Sequence, residues 1–243
     1  MALGYTMQFI VPPSEVTPRY TIKPFHLLNK LQDAADGAVT NMELPDVSAF
    51  GCAWMLHQYS VALSRPLMSG QRGTINTGHI AQGDLFSIRR FMLFDEQGAQ
   101  IGLADSSWIL VDLQRRRPCR LSRKLPACFF DKAEQEPFEG RFVEPLPPER
   151  EDILRPINVR LGDLDVNGHV NNAYYLSWVS EAIPPEVYMS CGVAEAHIIF
   201  KHEATYGMKL QVATQQDGLN FRHVIHNQEG TEIALISTRW EKI

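Results

Sequence analysis

The sequence predicts an α+β fold in which one unit of helix and sheet occurs twice. Two observations support this prediction. A segment with the pattern of an antiparallel hairpin occurs in both halves of the 243-residue chain, and an amphipathic helix precedes it each time. A proline-rich stretch, residues 126–156, separates the halves and is predicted to be an extended connector, because proline fixes φ and lacks an N–H donor. The predicted parts are therefore residues 1–125, the linker 126–156 and residues 157–243.

The two hairpins align at one constant offset. Residues 94–108 match residues 226–240, and both copies have glycine at the turn and tryptophan at the end. Each copy alternates apolar and polar residues on both sides of its glycine, which is typical of a β-hairpin. The match favours a duplication, although hairpin patterning alone can also produce such a likeness.

Each half has one helix with an apolar stripe at the 3.6-residue period. The stripe of the first helix consists of Leu27, Leu31, Ala34, Ala35 and Ala38. The stripe of the second consists of Tyr175, Trp178, Val179 and Ala182. The second helix is predicted to end before Pro184 and Pro185. We therefore expect each half to be an antiparallel sheet wrapped around one long helix.

The composition excludes several classes of protein. Hydrophobic residues make up 44% and charged residues 21%, as in an ordinary globular domain. The net charge of −5 disfavours a protein that coats nucleic acid or an anionic membrane. No apolar run approaches the ~20 residues that span a bilayer, and the first residues lack the basic segment of a signal peptide. The expected location is the cytoplasm, with no nucleic acid or membrane as partner.

The sequence shows no pattern of metal ligands. Its cysteines form no CxxC pair and are expected to be reduced thiols; they are Cys52, Cys119, Cys128 and Cys191. His223 and His226 are three positions apart on a predicted strand and so face opposite sides, and His197 and His202 have no accompanying carboxylate pattern. We interpret these histidines as structural.

Residues 161–175 concentrate the polar groups of a candidate hydrolytic site. Asp165, Asn167 and His169 alternate with small or apolar residues, and in an extended strand such positions point to one side. A helix is expected to begin near residues 170–172, with its free N–H groups aimed at this cluster. Acyl transfer from a thioester needs a group that activates water and donors that hold the oxyanion. Each of these residues, taken singly, also suits an ordinary turn before a helix.

Residues 163–174, Asp-Leu-Asp-Val-Asn-Gly-His-Val-Asn-Asn-Ala-Tyr, resemble the signature of acyl-ACP thioesterases, a family of bacterial and plant-plastid enzymes. The resemblance extends over nearly the whole chain, since residues 20–123 are similar to the family's N-terminal hotdog and the second half, including residues 198–204, to its C-terminal hotdog. It implies a tandem (double) hotdog whose first half holds the acyl chain. It also implies hydrolysis of fatty acyl-ACP to free fatty acid and holo-ACP, without a metal or organic cofactor.

The same resemblance assigns the site residues. The family's catalytic positions correspond to Asp165, Asn167, His169 and Glu203. Plant relatives have a cysteine directly after this glutamate, whereas this chain has Ala204, which excludes a thiol nucleophile there. We expect attack by water assisted by Asp165 or Glu203, directly or through His169. Gly168 stands where glutamine is common, which weakens any role for that side chain.

One block of positive charge stands out in the acidic chain; it comprises Arg115, Arg116, Arg117, Arg120, Arg123 and Lys124. Charge runs usually mark a solvated end of an element, and the lack of interleaved aromatic residues disfavours nucleic acid. Acyl carrier proteins are acidic, so the resemblance suggests that the block binds the carrier.

Two other functions stay open from the sequence. The chain could be an acyl-CoA thioesterase of the hotdog superfamily, or an acyl-binding protein without activity. The preferred chain length and the formation of a homodimer are also open.

Overall fold

The computed structural model describes residues 4–41, 45–130 and 142–243 as one antiparallel sheet with helices packed against it. The strands of the described residues are β1 (Tyr5–Ile10), β2 (Cys52–Leu63), β3 (Arg72–Gln82), β4 (Phe86–Phe94), β5 (Gln100–Asp112), β6 (Arg117–Pro118), β7 (Ile153–Asn158), β8 (Cys191–Phe200), β9 (Lys209–Asp217), β10 (Asn220–Asn227) and β11 (Glu232–Lys242). The α-helices among them are α1 (Pro24–Asn41), α2 (Leu121–Lys124), α3 (Tyr174–Ser180) and α4 (Pro185–Tyr188). The predicted α+β class is confirmed.

The strand order shows that the two halves repeat one topology. Neighbouring strands run β1-β3-β4-β5-β2-β8-β11-β10-β9-β7, and the short β6 pairs with β5. From the outer edge inward the first half reads β1-β3-β4-β5-β2, and the second reads β7-β9-β10-β11-β8, which is the same order of equivalent strands. The halves join where β2 pairs with β8, and there Ser60 Oγ lies 2.6 Å from His197 Nδ1.

The hairpins that match in sequence also match in detail. The side-chain oxygen of Asp95 accepts hydrogen bonds from the N–H groups two and four residues further on, at 2.9 and 2.8 Å. Asn227 does the same in the second half, at 3.0 and 2.8 Å. Trp108 and Trp240 each donate the indole N–H to a hydroxyl two residues earlier, at 2.9 and 3.1 Å. Because such local bonds follow from residue type, the sequence match predicted the matching turns.

The two helices differ in length more than their apolar stripes suggest. All five stripe residues of α1 are buried, and this helix runs for 18 residues. The four stripe residues of the second half are also buried, but α3 has only 7 residues and is followed by the separate α4. The predicted stop before Pro184 is confirmed, but the second helix is shorter than expected, because it begins only at Tyr174 and ends at Ser180. Within the described residues, no helix is long and apolar enough to cross a membrane.

The proline-rich segment contains more regular structure than its composition indicates. β7 begins at Ile153, inside the predicted linker 126–156, and among the described residues it pairs only with β9. It is thus an edge strand, where Pro156 is tolerated because one side of the strand needs no N–H partner. Residues 127–129 also form a 3₁₀ turn whose Phe129 packs in a cluster with Leu110 of β5. Residues 131–141 of the predicted linker lie outside the described residues.

Candidate active site

The carboxylate of Asp165 holds residues 165–169 in a tight turn. Its Oδ1 accepts hydrogen bonds from the backbone N–H groups of Asn167 at 2.8 Å and His169 at 3.2 Å. The backbone closes the same turn, since the N–H of Asp165 donates to the carbonyl of His169 at 2.7 Å. Gly168 has a φ of +79°, which glycine adopts without strain. The expected extended strand is therefore wrong here, because a short polar side chain that binds its own backbone favours a turn.

The turn brings the imidazole of His169 against Glu203. Nε2 of His169 lies 3.4 Å from Oε2 of Glu203, and the two side chains are 40% and 38% exposed, so a substrate can reach both. They meet because the chain at His169 runs antiparallel to the segment that follows β8. The backbone of His169 forms an isolated antiparallel β-bridge with Thr205. The N–H of Val170 donates to the carbonyl of Ala204 at 2.9 Å. The two residues are thus adjacent in space although 34 positions separate them in sequence.

A second carboxylate fixes the chain just before the turn. Asp163 is fully buried and accepts hydrogen bonds from the backbone N–H of Arg160 at 2.9 Å and from its guanidinium at 2.8 Å. The carbonyl of Asp163 accepts from the N–H of Asn171 at 2.9 Å. Tyr174 Oη donates to the carbonyl of Gly162 at 2.8 Å. The segments on both sides of the turn are therefore tied together.

We expect Asp163→Ala to lower the free energy of unfolding by about 1.5–3 kcal/mol, since it removes hydrogen bonds between a charged acceptor and its donors. Equilibrium unfolding in urea measures the change. The control is Asp46→Ala, which removes an exposed aspartate that also accepts a backbone hydrogen bond, from Ser48 at 2.8 Å. An Asp163→Ala loss no larger than that of the control would contradict the anchoring role.

The start of the second helix offers fewer free N–H groups than expected. α3 begins at Tyr174 and not near residues 170–172. The side chain of Asn171 accepts from the N–H of Ala173 at 2.9 Å, and its carbonyl accepts from the N–H of Tyr174 at 2.9 Å. Two donors that could have faced an oxyanion are therefore already bonded to Asn171.

The turn opens onto a cleft of about 990 Å³ between the two halves. All four residues that the resemblance assigns as catalytic line it. The first half contributes one face of α1 and parts of β2 and β5, including Gln32, Asp36, Trp54, Tyr59 and Trp108. The sequence analysis did not identify which residues of this half line the cleft. The sequence does contain a polar stripe on α1, at positions 29, 32, 33 and 36. Such a stripe is equally typical of a helix face exposed to solvent.

The inner wall of the cleft is polar as well as apolar. Burial raises the pKa of Tyr59, whose hydroxyl has no hydrogen-bond partner among the described residues. Arg89 is 2% exposed, and burial lowers its pKa to about 10, so it stays protonated at neutral pH. Partial desolvation, followed by the charge of Asp33, raises the pKa of Asp36. The cation of Arg89 thus stands close to Tyr59 and Asp36, which line the cleft.

The first half contains a geometric counterpart of the catalytic turn. The N–H of Thr17 donates to the carbonyl of Thr21 at 2.8 Å, as Asp165 does to His169. Tyr20, with a φ of 63°, occupies the place of Gly168. The turn is thus present in the first half, with Thr17 and Thr21 in place of the carboxylate and the imidazole.

The basic block lies at the end of β5 that leads away from the cleft wall. Ile109 lines the cleft, and Arg115 follows six positions later, a span of at most ~20 Å. Two of its six charges are already paired, because Arg120 contacts Asp84 at 2.7 Å and Lys124 contacts Asp112 at 2.7 Å. Lys124 holds the pKa of the Asp112 carboxyl at about 2. The others are exposed and make no ion pair within the described residues; they are Arg115, Arg116, Arg117 and Arg123.

The four histidines that the sequence analysis considered as possible metal ligands have hydrogen-bond partners in the protein. His223 is fully buried between hydroxyl groups of Thr214 at 2.8 Å and Thr238 at 3.2 Å, whereas His226 on the other face is partly exposed. No group of three potential ligands for a metal ion occurs in the part of the chain that the structure describes. The cysteines are closer than their sequence spacing indicated, because Cys52 Sγ lies 4.0 Å from Cys119 Sγ.

Two family models match the chain. The model described as the acyl-ACP thioesterase N-terminal domain matches residues 2–129. The model described as the acyl-ACP thioesterase C-terminal domain matches residues 147–242. The chain belongs to the acyl-ACP thioesterase family. The resemblance seen in residues 163–174 is thereby confirmed.

Individual members of this family show the same relationship over the whole chain. The acyl-[acyl-carrier-protein] hydrolase FATB2 of Cuphea viscosissima chloroplasts is 25% identical over 98% of this chain, which spans 63% of that relative's length. The crystal structure of an acyl-ACP thioesterase from Bacteroides thetaiotaomicron is 19% identical, with a TM-score of 0.88 and 97% of both chains covered. The 12:0-ACP thioesterase from Umbellularia californica is 22% identical, with a TM-score of 0.85 over 98% of this chain and 97% of that chain. These structures confirm the double hotdog fold.

The residue directly after Glu203 offers no nucleophile. Ala204 is 1% exposed and has no nucleophilic group. All four cysteines are free, and none of them lines the cleft in the described part of the chain. A mechanism through a cysteine nucleophile therefore has no residue to support it at this cleft.

Proposed function

We propose that this acyl-ACP thioesterase family member hydrolyses the thioester of a fatty acyl-ACP and releases the free fatty acid and holo-ACP. The contact of 3.4 Å between His169 and Glu203, at a cleft large enough for an acyl chain, is the observation that supports the proposal. An imidazole next to a carboxylate is a suitable general base for water. Membership of the family supports the same substrate class.

In the proposed reaction, Glu203 orients the imidazole of His169. When Nε2 of His169 donates to Glu203, the other ring nitrogen is an acceptor that can take a proton from water. The oxygen of that water forms a bond to the carbonyl carbon. Collapse of the tetrahedral intermediate breaks the C–S bond, and the proton passes to the departing thiolate. Every atom of acyl-ACP and water is then accounted for in the acid and the carrier thiol.

Asp165 has two tasks in this proposal. Its Oδ1 is occupied by two backbone N–H groups and keeps the turn closed. Its Oδ2 lies 3.5 Å from Nδ2 of Asn167 and can orient that amide toward the cleft. Asn167 then donates to the oxyanion that develops on the substrate carbonyl. This assignment places the base at Glu203 and His169 and not at Asp165.

Release of free thiol from a panel of acyl-ACPs of different chain lengths tests the proposed function. We expect turnover of acyl-ACP, with a smaller kcat/KM for the matching acyl-CoA. A higher kcat/KM for acyl-CoA would instead assign the chain to the acyl-CoA thioesterases. Binding of acyl-ACP without thiol release would make it an acyl-binding protein.

We also propose that the unpaired part of the basic block binds the acidic carrier. The relevant side chains are exposed and free of ion pairs within the described residues, and they continue from a strand whose Trp108 and Ile109 line the cleft. A carrier bound there would stand close enough to deliver its arm to the site. The cytoplasm stays the predicted location of both proteins.

Reversing three of these charges, in Arg116→Glu, Arg117→Glu and Arg123→Glu together, should lower kcat/KM for acyl-ACP by roughly tenfold or more at low salt. Electrostatic steering accelerates association by about 10–10³-fold, and salt screens it. Steady-state kinetics at several ionic strengths measure the effect. Arg120 is left unchanged, because its reversal would also break the contact with Asp84.

Two comparisons make this test specific. The control protein reverses three other exposed basic residues that form no ion pair among the described residues; they are Arg19, Arg72 and Lys242. It has the same net charge as the variant and should retain more of its kcat/KM. A short acyl-pantetheine, which has no protein surface, should be hydrolysed equally by all three proteins. Equal losses on both substrates would show damage to the site and would end the docking proposal.

A further inference from the structure

A single hydrogen bond ties α1 of the first half to the catalytic turn of the second. Nε2 of Gln32 lies 3.2 Å from Oδ1 of Asn171 and 3.2 Å from Oδ1 of Asn29. Gln32 lines the cleft, and so does Asn171. Asn171 is two positions after His169. Residues 139 positions apart thus meet directly beside the proposed catalytic pair.

Asn171 transmits this contact to both sides of the turn. Its side-chain oxygen also accepts from the N–H of Ala173 at 2.9 Å, which fixes the entry to α3. Its own N–H donates to the carbonyl of Asp163 at 2.9 Å, on the segment before the turn. Any rotation of the Asn171 side chain away from Gln32 would also weaken the bond to Ala173. Gln32 is therefore placed to restrict a residue that links both segments flanking the turn.

The equivalent positions in the other half of the repeat provide an internal comparison for this hydrogen bond. The buried stripe residues of α1 and α3 match at an offset of 148, so that Leu27, Leu28 and Leu31 correspond to Tyr175, Leu176 and Val179. At the same offset Ser180 corresponds to Gln32, and Lys23 to Asn171. Ser180 Oγ donates to the carbonyl of Leu176 in its own helix, and Lys23 Nζ donates to Ser14 in its own half.

The bond across the halves therefore occurs on the side with the carboxylate and the imidazole, and within the described residues it has no equivalent on the other side. In the turn on that other side, threonines stand in place of the carboxylate and the imidazole. A bond needed only for packing the two halves would be expected on both sides of such a repeat. Its restriction to the functional side indicates a functional role.

We propose that Gln32 is a positioning residue for the thioesterase reaction, which holds Asn171 and thereby the turn that presents Asn167 and His169. This inference rests on the proposed function. It also gives the first half a part in the chemistry besides holding the acyl chain. Gln32 does not act on the substrate itself but on the residue that fixes the catalytic turn.

A double-mutant cycle tests the inference. Gln32→Leu keeps the size of the side chain and removes the donor, and it should lower kcat about threefold to tenfold with little change in KM, as expected for one neutral hydrogen bond. In an Asn171→Ala background the same substitution should have no further effect, because the acceptor is already gone. The control is Ser180→Ala, at the equivalent position of α3, which should leave kcat unchanged. Thermal unfolding of each variant verifies that it is folded.

Several results would overturn the inference. A raised KM with normal kcat would make Gln32 a substrate-binding residue, and an undiminished effect in the Asn171→Ala background would show that it acts by another route. Hydrogen exchange gives a readout that does not need turnover. The amides of Asn167 and His169, which are bonded to Asp165, should exchange faster in Gln32→Leu than in Ser180→Ala. Unchanged exchange would refute positioning, whereas the absence of thiol release by the unmodified protein would refute only the proposed function.

Discussion

Glu203→Gln should lower kcat for acyl-ACP hydrolysis by at least about 10²-fold, the usual contribution of general acid–base catalysis. The substitution keeps the shape of the side chain and removes the negative charge 3.4 Å from Nε2 of His169. An uncharged amide stabilises the positive charge that develops on the imidazole less, so proton transfer from water should become slower. Because Glu203 does not hold the turn, KM and the thermal stability should change little. Single-turnover and steady-state kinetics on one acyl-ACP measure the effect.

Two variants show whether this loss is specific. Glu229→Gln makes the same chemical change at an exposed position of the hairpin between β10 and β11, and it should leave kcat unchanged. Asp165→Asn keeps an acceptor oxygen for the two N–H groups of the turn and removes only the charge, so it should lower kcat without unfolding the turn. Near-normal kcat in Glu203→Gln together with a large loss in Asp165→Asn would move the base to Asp165.

The same hypothesis requires that no thiol takes part in the reaction. A protein in which all four cysteines are replaced by alanine or serine should stay active if it folds. The pair of Cys52 and Cys119 makes this a useful check, since their sulfur atoms lie 4.0 Å apart and are both inside or near a packed cluster. Loss of turnover in a folded protein without cysteines would contradict the proposed attack by water.

Local features of this fold could be predicted from the sequence because they depend on neighbouring residues. The apolar stripe of α1 and the turns at Asp95 and Asn227 are set by periodicity and by side chains that bind their own backbone. A bond between a side chain and its own backbone also made the prediction wrong at the catalytic turn. The alternation of polar residues from Asp165 to His169 suggested a strand, whereas the carboxylate of Asp165 bonds the backbone and closes a turn.

The cleft could not be predicted in the same way, because it depends on contacts between distant parts of the chain. Glu203 was identified only through the family resemblance, since nothing in its neighbours indicates that it meets His169. Gln32 belongs to the polar stripe of α1, which does not distinguish a cleft wall from a solvated face, and Arg89 gave no signal. Packing of the two halves places Gln32 beside the turn. Packing within the first half buries Arg89, next to Thr77.

The second large effect is expected for Asn167, whose amide is the proposed donor to the oxyanion. Asn167→Ala should raise the barrier by roughly 2.7–4 kcal/mol, about 10²–10³-fold in kcat, because an oxyanion donor acts on charge that develops only in the transition state. KM should change little for the same reason. The turn should persist, since the backbone N–H of residue 167 still donates to Asp165.

Comparison of Asn167→Ala with Asn167→Asp separates donation from positioning. The aspartate has the shape of asparagine but no N–H donor, and its charge would repel both the carboxylate of Asp165 and the oxyanion. If Asn167 donates to the oxyanion, Asn167→Asp should be at least as damaging to kcat as Asn167→Ala. If its role is instead to hold the substrate in place, both variants should raise KM and keep kcat close to normal. A normal kcat in Asn167→Ala would show that the oxyanion does not depend on this donor, and Asn172, another asparagine that lines the cleft, would be the next residue to replace.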